Sequence, residues 1–237
     1  MNISHKHKTI WWAPERTGTK ITREILSKYD FFVFDPKTED EVSIQKRNTS
    51  HLNEIPEKYS DYKLVSNVRN PYDRVFSIFL NTTYENIALE KSKHPIVRKS
   101  FNKWIMNAFV GEKMVVTLDK NYSAKNINNN YFSKWTYNGK NPDFFIRMEN
   151  IKEDLENLDF IKNDVNWNSI EVGEILENNI YKTNRVIKFD QMYDFHSAKL
   201  VYLYFKFVFN LVPYNPFSFT TEILSESEKI SFFHDIP

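Results

Sequence analysis

The chain contains no cysteine, which removes disulfides and thiolate metal sites and rules out a secreted disulfide scaffold. Glycine is scarce, four residues in 237, so a glycine at a turn between apolar segments says something specific about the backbone there. Nowhere do the roughly 18 consecutive apolar residues of a membrane span run together. The opening MNISHKHKTIWW lacks the apolar stretch of a signal peptide, and a soluble cytoplasmic protein without a transmembrane segment is expected. An excess of one charge sign is missing too. A formal net charge of +1 gives no reason to expect nucleic acid or an anionic membrane as partner, so any anion site must be local. With 41% hydrophobic residues the chain can bury one sizeable core, and a single domain over 1–237 is the simplest account.

Short apolar runs alternate with helical patterns. Lys8 to Ala13 is apolar and ends at Pro14; Thr19 to Tyr29 then places Ile21, Ile25 and Leu26 at helical spacing. Phe31 to Phe34 is a second apolar run. Lys63 to Val68 is a third, followed by Arg69-Asn70-Pro71 and a helical pattern in Val75, Phe76, Phe79 and Leu80. Asp143 to Met148 reads as a strand feeding a helix over Ile151 to Leu158. This alternation predicts an α/β fold of three layers, a central parallel β-sheet flanked by helices. Near the end, Asp194 or Ser197 caps a helix lined by Ala198, Val201, Tyr202, Phe205, Val208, Phe209 and Val212, and Ser225 to Glu228 is a capping box. The asparagine-rich stretch from Lys120 to Lys140 reads as an exposed loop or acceptor-site flap. His5 and His7 fall in a frayed terminus on this reading. Neither they nor His94, His196 and His234 have metal-ligand spacing, and no metal is expected.

Two loops carry the chemistry. In Trp12-Ala13-Pro14-Glu15-Arg16-Thr17-Gly18-Thr19-Lys20 a strand hands over to a helix, whose first N–H groups attract phosphate. Gly18 lets the backbone approach an anion or take positive φ, while Arg16, Thr17, Thr19 and Lys20 add charge and hydroxyl donors. The segment is not G-x-x-x-x-G-K-[ST], which disfavours a plain ATPase. Alone, it would also serve as an ordinary strand-to-helix connection. In the second loop, Arg69 stands at a strand end and Ser77 two turns into the next helix. Together they could clamp one phosphate, since arginine offers a fork of donors and serine one more at short range.

Here the sequence resembles the sulfotransferases that use 3′-phosphoadenosine-5′-phosphosulfate (PAPS), particularly the branch acting on carbohydrates. The family's R-[DN]-P-x-x-R-x-x-S is matched in full by Arg69 to Ser77. Its P-K-[ST]-G-T-[TS] is similar to Pro14 to Lys20 with one residue inserted after the proline. Phe145 to Asp154 resembles the family's strand followed by E-N-L-x-x-D, and the helix from Lys199 to Asn210 its C-terminal helix. The resemblance implies a P-loop NTPase-like sulfotransferase fold, PAPS as co-substrate without a metal, and a hydroxyl-bearing acceptor, with a carbohydrate or lipid-linked sugar favoured.

By the same resemblance, Arg16, Thr17, Gly18, Thr19 and Lys20 hold the 5′-phosphosulfate, Arg69 and Ser77 hold the 3′-phosphate, and the basic stretch Lys182 to Arg185 closes over the nucleotide. The family usually has lysine where Arg16 stands and a small hydroxyl residue where Lys20 stands. Arginine does not readily lose a proton, so Arg16 would stabilise charge on the leaving phosphate, with Lys20 sharing that role. His51 precedes the strand leading to Arg69, where the family often keeps its catalytic histidine, and an ordinary pKa near 6.5 suits proton abstraction. Glu15 and Glu54 are the reserve bases. Two other functions stay open: a nucleotide-dependent kinase or phosphotransferase of similar architecture, and a nucleotide-binding relative that has lost turnover.

Overall fold

The computed structural model describes residues 2–14, 16–34, 41–43, 57–83, 94–110, 141–164, 170–181 and 187–234. The protein is mixed α/β, and its chain forms two compact units, each drawn from two separate stretches: residues 1–69 with 129–184, and residues 70–128 with 185–237.

Among the described residues the first unit carries six strands: β1 (Asn2–Ser4), β2 (Thr9–Trp12), β3 (Phe32–Phe34), β4 (Glu41–Ser43), β5 (Lys63–Val68) and β6 (Phe144–Arg147), in the order β4-β3-β1-β2-β5-β6. β2 pairs in parallel with β5, Trp11 opposite Val65, and β5 in parallel with β6, Val65 opposite Phe144. The other three pairings are antiparallel, so three of the five pairings depart from the parallel arrangement read from the alternation. The reason is local for β1 and β2. The turn His5 to Lys8, closed by Lys8 N–H donating to the His5 carbonyl at 3.3 Å, is far too short for the crossover that a parallel pair requires.

The N-terminus is a paired strand and not a frayed end. Asn2, Ile3 and Ser4 are buried, and the Asn2 amide donates to the Trp11 carbonyl at 3.2 Å. Every residue of β2 is buried, and all of β5 except Lys63, which is why these strands read as continuous apolar runs and do not alternate. Around the sheet lie helices α1 (Thr19–Leu26), α4 (Ile151–Glu156), α5 (Asp159–Lys162) and α6 (Ile170–Tyr181). Trp11, Ile21, Ile25, Leu26, Ile146 and Leu155 belong to one continuous core.

His7 sits at the rim of this unit with its ring stacked on Phe160, centroids 4.5 Å apart, and its Nε2 is buried without a hydrogen-bond partner among the described residues. Burial lowers its pKa below the ordinary 6.5. The Lys6 charge adds to that shift and Asp30 opposes it. The unfolded chain therefore takes up the proton more readily, and stability must fall as pH drops through and below about 6.5. Thermal unfolding of wild type and His7→Phe at pH 7, 6 and 5 checks this. The variant is expected to lose part of the acid-side decline, and an unchanged pH slope would refute it.

The second unit is helical among its described residues: α2 (Pro71–Thr83), α3 (His94–Val110), α7 (Phe195–Leu211) and α8 (Glu226–Phe233). Its core is aromatic, with Phe101 edge-on to both Phe76 and Tyr193 at 5.1 and 4.9 Å. Tyr193 donates its hydroxyl to the Tyr72 carbonyl at 2.7 Å, and burial first, then Tyr72 and Asp73, push its pKa well above the ordinary value, so it stays a proton donor. Asp194 caps α7 by accepting from the Ser197 N–H at 2.7 Å, and the capping box of Ser225 and Glu228 opens α8. Val97, Phe101, Trp104, Ile105 and Ala108 line one face of α3 and are buried. No helix of the described residues is long and apolar enough to cross a membrane.

Candidate functional site

β2 ends at Trp12 and α1 begins at Thr19. Between them the chain reverses through two residues with left-handed backbones, Arg16 at φ 65° and Gly18 at φ 85°. Gly18 is the N-cap of α1, its carbonyl accepting from the Thr22 N–H at 3.2 Å. It has no side chain to cap the helix, which leaves the first-turn N–H groups facing outward at the positive end of the helix dipole. An added Cβ at Gly18 would meet Met148 Sδ, so the Met148 side chain would have to move, and the positive φ by itself favours glycine here.

The threonines of this loop turn inward. Thr17 Oγ1 donates to the Pro14 carbonyl at 2.5 Å and Thr19 Oγ1 to the same carbonyl at 3.2 Å. Their hydroxyls close the turn, and the donors for an anion are then the backbone N–H groups with the charges of Arg16 and Lys20. Lys20 is exposed, Arg16 half-buried.

The end of β5 reaches into this loop. Arg69 Nη1 donates to the Arg16 carbonyl at 3.2 Å, and Asn67 Nδ2 donates to the Thr17 carbonyl at 3.0 Å. Segments about 50 residues apart in sequence are thus joined directly, through the residue expected at the 3′-phosphate and through an asparagine that motif comparison passes over. The signal for Asn67 was a polar residue inside an apolar strand, which must find partners when buried.

Asn70 and Pro71 have a conformational explanation. Asn70 Oδ1 accepts from the Tyr72 N–H at 3.0 Å and the Asn70 carbonyl from the Arg74 N–H at 2.9 Å, so Asn70 is the N-cap of α2 and Pro71 its first helical residue. Two positions of the R-[DN]-P pattern are therefore helix-start chemistry. Ser77 is buried within α2 at 1% exposure and belongs to the second unit, whereas Arg69 closes the first stretch of the first unit.

The third echo of the family also has a structural cause. Asp154, 5% exposed on α4, accepts from the Arg147 N–H at 2.7 Å, from Nε at 2.8 Å and from Nη2 at 2.6 Å. This bidentate pair fixes the end of β6 to α4 and sets the backbone at Met148, the residue packed on Gly18. His51, Glu15, Glu54, Lys182, Arg185 and the asparagine-rich stretch lie outside the described residues. A scan against protein-family models, a search of curated proteins and a search of solved structures each returned no match.

Proposed function

We propose that the protein is a PAPS-dependent sulfotransferase of P-loop-like architecture, moving the sulfuryl group to a hydroxyl acceptor, with a glycan or lipid-linked sugar favoured. One observation carries the reading: the segment resembling the family's first phosphate motif is bonded to the start of the second, Arg69 donating to the Arg16 carbonyl, while Asn67 of the strand leading into it donates to the Thr17 carbonyl. Helix-start chemistry accounts for Asn70 and Pro71 but gives no reason for an arginine at 69.

In this reading the acceptor oxygen attacks sulfur in line, a new S–O bond forms, and the bond between sulfur and the bridging oxygen breaks. The electron pair leaves with the 5′-phosphate as adenosine 3′,5′-bisphosphate, and the acceptor proton passes to a base, His51 or one of Glu15 and Glu54. The protein mainly positions the reactants and neutralises charge on the leaving side. That task falls to the N–H groups at the start of α1 with Arg16 and Lys20. Arg69 takes the 3′-phosphate, the feature separating PAPS from ATP, as its place in the motif implies.

Arg69→Ala tests the division of labour. Because its guanidinium also holds the Arg16 carbonyl, the variant should bind every adenine nucleotide somewhat less well. The loss should be at least about tenfold larger for the bisphosphate than for ATP, the worth of a charge-assisted phosphate contact. Equal losses for the two nucleotides contradict the assignment. Transfer of labelled sulfate from PAPS to any hydroxyl acceptor separates an enzyme from a relative that only binds.

A further inference from the structure

Asn67 is 0% exposed near the end of β5 and uses both ends of its amide. Its Oδ1 accepts from Trp11 Nε1 at 2.6 Å, while Nδ2 donates to the Thr17 carbonyl at 3.0 Å and to Thr22 Oγ1 at 2.7 Å. The orientation is forced: an indole N–H can only donate and a carbonyl can only accept, so the amide cannot be turned round. One side chain thus ties β5 to β2, to the loop and to α1. Thr17 and Thr22 are themselves 0% exposed, so all three bonds are shielded from competing water.

In a trans peptide the carbonyl and the N–H of the same unit point in opposite directions. With the Thr17 carbonyl drawn to Asn67, the Gly18 N–H is turned away from β5. With the Arg16 carbonyl drawn to Arg69, the Thr17 N–H is turned away likewise. Left-handed backbones at Arg16 and Gly18 flank these units, the kind of succession that gathers N–H groups into a concave anion site. We infer that Asn67 is a positioning residue for anion binding: by holding the Thr17 carbonyl it fixes the direction of the loop's N–H groups, although it touches no ligand. The inference rests on the proposed function only for the choice of nucleotide as probe.

The test compares Asn67→Leu and the isosteric Asn67→Asp with Trp11→Phe, which removes the third bond of the same amide but leaves both bonds to the loop and α1. Titrations with 5′-AMP and adenosine 3′,5′-bisphosphate are run beside amide hydrogen exchange of Thr17 to Lys20 and thermal unfolding. Both Asn67 variants are expected to weaken the two nucleotides by a similar factor, at least about tenfold, because the fault lies at the 5′-phosphate end. They are also expected to exchange the loop amides faster, whereas Trp11→Phe binds within about twofold of wild type. If the Asn67 variants lose stability but bind within about twofold of wild type, or Trp11→Phe loses as much affinity as they do, the positioning role is overturned. Should wild type bind neither nucleotide, the sulfotransferase reading fails, and Asn67 is judged by exchange alone. Faster loop exchange in Asn67→Asp than in Trp11→Phe supports the role, and equal exchange refutes it.

Discussion

Gly18→Ala is expected to destabilise the protein by about 2–5 kcal/mol and to weaken nucleotide binding by more than about tenfold. Two costs combine. A side chain at φ 85° is held in the left-handed region, worth about 1–2 kcal/mol. The new Cβ also meets Met148 Sδ, and overpacking of this kind costs about 1–3 kcal/mol when the neighbour has to move. Relief of either strain shifts the start of α1, and with it the N–H groups of the proposed anion site. The costs can be separated: Gly18→Ala with Met148→Ala removes the overlap and leaves the φ strain. Urea unfolding should show the double variant recovering part of the loss, and binding should stay impaired. Full recovery of both would mean that Gly18 matters only for packing.

Asp154→Ala is expected to cost about 2–4 kcal/mol, the largest loss from any carboxylate named here. Its carboxylate answers three donors of Arg147 and is almost wholly buried. Removing it leaves the backbone N–H and the guanidinium at the end of β6 to find other partners. Arg147 retains 33% side-chain exposure, so water recovers part of the loss and the value falls below that of a fully enclosed pair. Asp154→Asn keeps an acceptor for the backbone N–H but loses the bidentate charge, and should fall between alanine and wild type. The exposed pair of Lys63 with Asp159 is the control, since Asp159→Asn should leave the denaturant midpoint nearly unchanged. Denaturant midpoints for the three variants check the order. Equal effects at Asp154 and Asp159 would show that the burial argument is wrong.

Much of the fold could be read where local chemistry is decisive. The apolar run before Pro14 became β2, Asn70-Pro71 opened α2, and Ser225 with Glu228 formed the capping box of α8. Strand direction was not legible. Phe32-Val33-Phe34 has the same composition whichever way its neighbour runs, and pairing with β1, itself folded back by the turn at His5 to Lys8, makes it antiparallel. β1 was missed because three residues, Asn2-Ile3-Ser4, are too few to show a period. α3 did carry a helical period, which likeness to a family could not reveal. At the candidate site, glycine scarcity singled out Gly18. The inward bonds of Thr17 and Thr19 could not be read from residue type, because a threonine hydroxyl near a helix start can serve a ligand or its own loop.

The central claim is that the loop from Pro14 to Lys20, joined to Arg69, holds a nucleotide carrying a 3′-phosphate. Calorimetric titration of the purified protein with adenosine 3′,5′-bisphosphate, 5′-AMP and ATP tests it most directly. The account predicts a Kd of about 1 μM or tighter for the bisphosphate, weakened at least about tenfold when the 3′-phosphate is absent. No binding of the bisphosphate, or a preference for ATP over it, would contradict the account and favour a phosphotransferase.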